Sequence, residues 1–309
     1  MANINNELEY INEMAFSSPS ELIEKSEARY NNIISDACRR ICEDGGREIV
    51  MLAGPSSSGK TTTAKKLSEE LSKNGVKTYV LSLDDFYLDR SDIPLLPDGT
   101  RDFETVYALD LKLFEKTVNA LLRGETVKTP VFDFIEGKRS SERFNEITLG
   151  ETDAVIIEGL HALNPVITDK INGKILKIYI SVSSRIYDRN GKIILNKRNL
   201  RFVRRMVRDH KFRGSTVDNT YKLWKNVAAG EDKYLFPYRD NADIRINTIH
   251  IYEPCVLKRE ALKLLSGSEI SKEYKSDAQR LYKALEMFEE LDANLVPADS
   301  LLREFIGNC

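Results

Sequence analysis

The segment Gly54-Pro55-Ser56-Ser57-Ser58-Gly59-Lys60-Thr61 fits the pattern G-x-x-x-x-G-K-[ST] of a phosphate-binding loop. The apolar run from Ile49 to Ala53 before it has the length and branching of a buried strand. The stretch from Thr61 to Lys73 after it is predicted to form a helix that ends at Asn74-Gly75. Strand, glycine loop and helix are the context that the pattern requires. The sequence therefore predicts a nucleoside triphosphate site.

The chemistry expected of this loop follows from its backbone and its two polar side chains. Loop N–H groups and the N-terminus of the following helix point at anionic oxygens. Lys60 is expected to reach the β- and γ-phosphates of ATP, and the Thr61 hydroxyl to bind Mg2+. The predicted nucleotide-binding residues are Gly54, Ser56, Ser57, Ser58, Gly59, Lys60, Thr61 and Thr62.

Composition limits the class of protein. A chain of 309 residues suits one large α/β domain with appendages, or two domains. Its net charge of −2 favours neither a nucleic-acid nor a membrane-surface partner, and no apolar run approaches the roughly 18 residues of a membrane span. With only three histidines, a zinc site is not expected. The four cysteines, Cys38, Cys42, Cys255 and Cys309, are predicted to be free thiols in a reducing cytoplasm.

Helical periodicity predicts two appendages around a central domain. Residues 1–45 are predicted to be a helical segment that packs on the domain or contacts another subunit, so a homo-oligomer is a possible state. The phosphate-loop domain is expected over 46–255 and a helical extension over 256–309.

Carboxylates follow two of the predicted strands. Asp84-Asp85 ends the strand from Val76 to Leu83, and Glu158 ends the unbroken apolar run from Ala154 to Ile157. Such strand ends meet in the functional crevice of an open α/β sheet. Asp84 is predicted to be the general base or to orient the acceptor hydroxyl, and Glu158 to hold Mg2+. The alternative for Asp84 and Asp85 is a solvated turn in which both aspartates cap a helix. The alternative for Glu158 is a buried structural role.

A basic region extends from Arg185 to Arg213, with eleven basic residues against two acidic ones. Four of its arginines, Arg201, Arg204, Arg205 and Arg208, fall at helical spacing on one face. A solvated face, a nucleic-acid patch and a lid that clamps phosphates are the three interpretations. Because the chain is net acidic, a nucleic-acid partner is not expected, and phosphoryl transfer favours a lid over about 185–235.

Several motifs together resemble the uridine kinase and phosphoribulokinase family over about residues 47–250. They are Asp84-Asp85-Phe86-Tyr87, Asp102-Phe103-Glu104, Pro130-Val131-Phe132-Asp133-Phe134, Ile156-Ile157-Glu158-Gly159-Leu160, Arg204-Arg205-Met206-Val207-Arg208-Asp209 and Phe212-Arg213-Gly214. The stretch Ser300 to Gly307 further resembles the C-terminal tail of a bacterial uridine-kinase-like branch.

The resemblance implies a P-loop NTPase fold, a three-layer α/β/α arrangement with a mostly parallel sheet and an arginine-rich lid. ATP and Mg2+ are the implied cofactors. Arg205, Arg208 and Arg213 are then the lid arginines, Glu104 holds sugar hydroxyls, and Tyr87 borders the acceptor.

The acceptor site is where the chain departs from the family. Residues 127–134 and 143–149 are predicted to form a hairpin-like insertion, in which Phe132 and Phe134 stack on a base or belong to the core. Nucleoside kinases of the family carry Tyr and His where this chain has Phe132 and Gly137, and a second Arg where it has Ser215. Discrimination between bases is therefore expected to be weaker than the resemblance implies, and Ser215 removes one possible phosphate contact.

The sequence as a whole predicts an ATP-dependent kinase that phosphorylates a hydroxyl of a small acceptor, preferably a nucleoside such as uridine. A sugar phosphate or a pantothenate-like molecule is the alternative acceptor. A nucleotide-operated switch without acceptor is the alternative class, although Asn196-Lys197-Arg198-Asn199 lacks the Asp of a guanine-binding N-K-x-D string.

Overall fold

A computed structural model describes residues 5–43, 48–96, 99–133 and 136–307. The helices of these residues are α1 (Leu8–Ser17), α2 (Pro19–Glu43), α3 (Lys60–Lys73), α4 (Leu111–Leu122), α5 (Pro165–Thr168), α6 (Lys197–Arg213), α7 (Val217–Tyr234), α8 (Glu253–Gly267), α9 (Lys272–Glu286) and α10 (Arg303–Ile306). The strands are β1 (Glu48–Ala53), β2 (Thr78–Ser82), β3 (Val127–Asp133), β4 (Lys138–Ile147), β5 (Ala154–Gly159), β6 (Ile175–Ser181), β7 (Ile186–Tyr187), β8 (Ile193–Leu195) and β9 (Ile244–Asn247).

A five-stranded sheet in the order β2-β5-β1-β6-β9 forms the centre of the molecule, and all of its pairings are parallel. Strand β5 is buried along its whole length, as its apolar run predicted. In register, both Leu52 of β1 and Ser82 of β2 lie beside Glu158 of β5. The carboxyl ends of these three strands therefore meet at one edge of the sheet.

Successive side chains of β1 point to opposite faces of the sheet. Since the side chains on both faces are apolar, helices cover both faces. Val50 and Leu52 pack into a core with helices α2, α3, α6 and α8, whereas Ile49 and Met51 pack into a second core with α4. The predicted three-layer α/β/α arrangement is confirmed.

The two terminal helical regions pack on the same face of the sheet. Leu22 and Tyr30 of α2 and Leu281 and Phe305 near the C-terminus belong to the core that also contains Leu67 of α3. A buried hydrogen bond reinforces this face, since Tyr30 Oη and Thr63 Oγ1 lie 2.7 Å apart. The helix that begins at the phosphate-binding loop is thus held by both ends of the chain.

A two-stranded antiparallel hairpin of β3 and β4 lies beside the sheet, as predicted for the insertion, with a bulge between Pro130 and Phe132. Phe134, the second candidate for base stacking, lies outside the described residues. The short hairpin of β7 and β8 was not predicted, because strands of two and three residues carry no periodic signal.

Helix α6 carries eight of the eleven basic residues of the basic region, and local signals define both of its ends. The side chains of Asn196 and Asn199 form a capping box at its start. Gly214 ends it with φ of 60°, a left-handed conformation that glycine adopts without strain.

The described chain as a whole bears on two further predictions. None of its helices combines the length and apolarity of a membrane span, and Cys38, Cys42 and Cys255 are free thiols. Cys309 is outside the described residues.

Candidate active site

The phosphate-binding loop connects β1 to α3, as predicted, and two of its residues adopt left-handed backbone geometry. Ser57 and Gly59 both have positive φ, 58° and 88°. Gly54 is needed for a different reason, since a Cβ there would lie 2.6 Å from the Ile180 carbonyl oxygen. The loop therefore closes tightly on the sheet and leaves the first N–H groups of α3 without intrahelical acceptors.

Polar groups of the loop fit an anionic ligand. The hydroxyls of Ser57 and Ser58 are buried and have no hydrogen-bond partner within the described residues. Buried hydroxyls are normally satisfied. The Lys60 side chain extends over the loop, with Nζ 3.5 Å from the Pro55 carbonyl oxygen. Orphaned hydroxyls, free helix N–H groups and a lysine together form a cradle suited to phosphate oxygens.

The strand-end carboxylates lie beside this cradle. Glu158 Oε1 is 3.1 Å from Ser82 Oγ and 3.5 Å from the Thr61 hydroxyl. Burial raises the pKa of Glu158 to about 7, against the opposing charge of Lys60. A hydroxyl and a carboxylate at the mouth of a phosphate loop are oxygen ligands of the kind that Mg2+ takes.

Asp84 and Asp85 have separate surroundings. The Asp84 carboxylate opens into the site, and the surrounding protein raises its pKa by desolvation, which the charges of Lys60 and Arg213 oppose. Asp85 instead accepts a hydrogen bond of 3.0 Å from the backbone N–H of Phe132, so it holds the β3–β4 hairpin. The structure thus presents Asp84, and not its neighbour, to a ligand.

The predicted lid arginines gather around one buried carboxylate, Asp209. Arg205 and Arg208 lie 3.1 and 2.8 Å from its oxygens, and Arg213 lies 3.5 Å away. Arg205 also donates to Ser56 Oγ at 2.8 Å. All three guanidinium groups line the same cavity as Lys60.

Two cavities meet in this region. One, of about 410 Å3, contains the phosphate loop, Glu158 and the three lid arginines. The other, of about 590 Å3, is bordered by the β3–β4 hairpin and α7. The residues that line both are Asp84, Tyr87, Glu104, Arg205 and Val227. A larger cavity of about 1040 Å3 lies at the α8–α9 connection and includes no residue of the loop.

The predicted acceptor residues line the second cavity. The rings of Tyr87 and Phe132 lie 5.8 Å apart, and the Tyr87 hydroxyl donates to the Phe103 carbonyl oxygen at 2.9 Å. Burial raises the pKa of Glu104, while the charge of Arg205 opposes the shift. Glu104 packs so closely on α7 that a Cβ at Gly230 would lie 2.6 Å from its Cβ. One wall is therefore aromatic and the other carries a carboxylate.

Two of the four arginines that share helical spacing, Arg201 and Arg204, do not line the phosphate cavity. Arg201 is buried in a pair of hydrogen bonds to Glu231, at 2.7 and 2.8 Å. Arg204 is equally buried and is bound to Glu253 at 2.7 Å through Nε. Their helical spacing matches that of the lid arginines, but their partners lie on α7 and α8. These two arginines hold helices together.

Sequence reasoning also missed two residues at the site. His161 lies just beyond Glu158, with its ring 5.8 Å from that of Tyr234, and burial lowers its pKa to about 4. Glu304 of α10 lines the phosphate cavity and accepts a hydrogen bond of 2.8 Å from the Thr62 hydroxyl. No spacing signal connects Glu304 to a loop some 240 positions earlier.

Comparison with known proteins agrees with this geometry. The model of the phosphoribulokinase/uridine kinase family matches residues 49–252. The chain belongs to this family. A uridine kinase of Mycoplasma genitalium is 32% identical over 181 residues, covering 59% of this chain and 75% of that protein. A uridine kinase of Deinococcus deserti is 27% identical over 210 residues, covering 67% and 91%.

Among solved structures, a candidate fructose transport system kinase of Silicibacter sp. superposes with a TM-score of 0.50 at 23% identity, over 69% of this chain and 98% of that one. This likeness concerns the fold alone. Family membership supports a kinase that uses ATP on a small molecule.

Proposed function

We propose that this kinase transfers the γ-phosphoryl group of ATP to a hydroxyl of a nucleoside such as uridine. The observation that carries the proposal is the junction of the two cavities at Asp84. A phosphate cradle opens on one side of this carboxylate, and an aromatic-walled cavity of acceptor size opens on the other. Transfer needs a donor and an acceptor that meet at a group able to take a proton.

The donor side is assigned to the loop and its neighbours. The residues proposed to bind ATP are Gly54, Ser56, Ser57, Ser58, Gly59, Lys60, Thr61 and Thr62. Thr61 and Glu158 would hold Mg2+, which neutralises phosphate charge when bound. Lys60 places a further positive charge on the same side, and the loop N–H groups orient the phosphate chain.

At the junction, Asp84 would accept the proton of the attacking hydroxyl. Its raised pKa favours this role, because a base is most effective when its pKa approaches the working pH. Arg205, Arg208 and Arg213 would stabilise the charge on the transferring group. Three guanidinium groups share a single carboxylate, which cannot satisfy all of their N–H donors, so donors remain for phosphate oxygens.

On the acceptor side, Glu104 would bind sugar hydroxyls while Tyr87 and Phe132 contact the base. The uridine kinases among its relatives support a nucleoside. An acceptor with an anionic group is the second candidate, because Arg90, Arg101 and Lys233 also line this cavity. A nucleotide switch without acceptor leaves the second cavity without a role.

The test measures ADP release with a panel of nucleosides, sugar phosphates and pantothenate. Uridine is expected to stimulate turnover most, and stimulation only by a sugar phosphate or by pantothenate would transfer the proposal to that acceptor. Nucleotide hydrolysis that no member of the panel stimulates would instead favour the switch.

Paired substitutions then test the site. Asp84→Asn should lower kcat by roughly 10²-fold or more while nucleotide affinity changes only several-fold. Asp85→Asn is the matched control, because its amide oxygen still accepts the Phe132 N–H. Lys60→Ala should abolish transfer, and wild-type turnover in that variant would mean that the loop is not the active site.

A further inference from the structure

The last residues of the described chain, 300–307, lie directly against the phosphate-binding loop; we refer to them as the C-terminal segment. A Cβ on Gly59 would lie 2.5 Å from Leu301 Cδ1, so this leucine covers the loop glycine. The Phe305 ring lies 5.2 Å from the Arg204 guanidinium, and the Lys211 ammonium donates to the Ile306 carbonyl. The segment thus fills the space between the loop and α6.

This segment is fixed by buried contacts at its start and by its own arginine. Ser300 Oγ donates to Glu27 Oε1 at 2.5 Å inside the core. The Arg303 guanidinium donates to the carbonyls of Pro297 and Gly307, at 3.2 and 3.1 Å. Leu302, like Leu301 and Phe305, is completely buried. A side chain carried by such a segment has a defined position in the site.

Glu304 is the residue that the segment presents to the phosphate cavity, which Lys60 and Arg213 also line. Its carboxylate accepts a hydrogen bond from Thr62 Oγ1 at 2.8 Å and makes no ion pair within the described residues. A carboxylate repels a polyphosphate at close range, and the charge of Arg213, which interacts with Glu304 without contacting it, offsets only part of this repulsion. Its place in this cavity is therefore expected to lower phosphate affinity.

The Thr62 hydroxyl adds a second effect. A hydroxyl has one proton to donate. While Thr62 donates to Glu304, it cannot donate to a phosphate oxygen, although it is on the first turn of α3, where phosphates bind. Glu304 and a bound phosphate thus compete for the same proton.

We propose that Glu304 is a positioning residue of the nucleotide site, through which the C-terminal segment orients Thr62 and sets how tightly phosphates are held. The inference rests on the proposed ATP site. It assigns a role in nucleotide binding to a segment that follows the kinase family match by some 50 residues.

The experiment is a calorimetric titration of the full chain and its Glu304→Gln variant with ADP and, separately, with inorganic tripolyphosphate, which has no base. The glutamine oxygen can still accept from Thr62, so the variant removes the charge and keeps the contact. We expect both ligands to bind roughly threefold to tenfold more tightly to the variant. The difference should shrink as salt is raised from about 50 mM to 500 mM, because screening weakens Coulomb repulsion.

A structural role predicts the opposite sign. If Glu304 only supported the loop, its replacement would weaken binding, and weaker or unchanged binding by Glu304→Gln overturns the proposal. Glu304→Ala and Glu304→Asp decide the case if the glutamine variant does not fold: the alanine variant must bind more tightly than the aspartate variant, which keeps the charge.

Two further readouts complete the design. Glu269→Gln removes an exposed C-terminal charge away from this cavity and should bind like the wild type. In steady state, Glu304→Gln should lower KM for ATP without raising kcat. Absence of ADP binding to the wild type would overturn the proposed function together with this inference, whereas wild-type binding with no gain in the variant overturns this inference alone.

Discussion

Two sets of arginines on helix α6 have similar spacing in the sequence and opposite surroundings in the structure. Arg201 and Arg204 are 2% and 0% exposed, and each has a carboxylate of its own, Glu231 and Glu253. Charge in this buried set is paired one to one. The cost of removing these guanidinium and carboxylate groups from water is compensated by several short hydrogen bonds.

The other set shares its partner. Arg205, Arg208 and Arg213 all lie within 3.5 Å of the single carboxylate of Asp209. Three guanidinium groups against one carboxylate leave N–H donors that Asp209 cannot satisfy, in a cavity that Lys60 and the carboxylates of Asp84, Glu104, Glu158 and Glu304 also line. The number of carboxylates per arginine, more than the position on the helix, separates arginines that hold the fold from arginines available to a ligand.

The largest expected effect is on the buried set. Arg204→Met should destabilise the protein by roughly 3–5 kcal/mol, because Glu253 is left buried without its cation. Urea unfolding followed by circular dichroism measures the change. Arg198→Met is the control, since its pair with Asp232 is exposed and should contribute less than about 1 kcal/mol. Equal effects of the two substitutions would contradict the distinction.

The second prediction concerns the shared set. Arg208→Ala should lower kcat by roughly 10²- to 10³-fold, since a cation positioned on the transferring group is lost. Its melting temperature should change by only a few degrees, in contrast to Arg204→Met. His210→Ala replaces an exposed residue of the same helix and should leave kcat unaltered. A folded Arg208→Ala enzyme with wild-type kcat would remove this arginine from the site.

These arginines also show how far the sequence can predict the structure. The phosphate loop, the order of strand and helix and the strand-end carboxylates were predictable, because each depends on neighbouring residues. Spacing could not distinguish the structural role of Arg204 from the site role of Arg205, since the carboxylate that pairs with Arg204 is Glu253 of α8. The contact between Thr62 and Glu304 was unpredictable for the same reason. Pairings between distant segments follow from tertiary packing, which periodicity does not record.

Glu27 is a buried carboxylate whose hydrogen-bond partners are a histidine and two hydroxyls rather than an arginine. Burial alone would raise its pKa, but His250 and the hydroxyls of Ser300 and Tyr252 lower it to about 2. A depressed pKa contributes stability above the unfolded value of about 4.5, and this contribution is lost as pH falls towards 2.

Glu27→Gln should therefore destabilise the protein by roughly 2–4 kcal/mol at pH 7 and by progressively less between about pH 4.5 and 2. Urea unfolding at a series of pH values measures the difference between variant and wild type. A difference that stays constant over this range would mean that shape, and not charge, accounts for the loss. Glu24→Gln, an exposed position on the same helix, supplies the control.

Arg90 represents a third situation, an exposed arginine with no side-chain hydrogen bond or ion pair within the described residues. It lines the acceptor cavity, and a Cβ on Gly137 would lie 2.8 Å from its Nε. Gly137, which has no side chain, thus makes room for this guanidinium. Since arginine only donates hydrogen bonds, it favours acceptors that present carbonyl oxygens.

The smallest effect is expected here. Arg90→Ala should lower kcat/KM for uridine by roughly tenfold or less, because an exposed hydrogen bond competes with water. It should also reduce the preference for uridine over cytidine, whereas removal of the 2′-hydroxyl of the substrate should cost more than either change, through Glu104. The measurement is kcat/KM across ribo- and deoxynucleosides at saturating ATP, with Arg123→Ala, paired to Glu125 on the surface, as the control. A pocket that hydrogen-bonds its substrate rejects molecules that lack the matching group. A strict preference for a single base, of several hundredfold, that survives in Arg90→Ala would therefore show that another residue recognises the base.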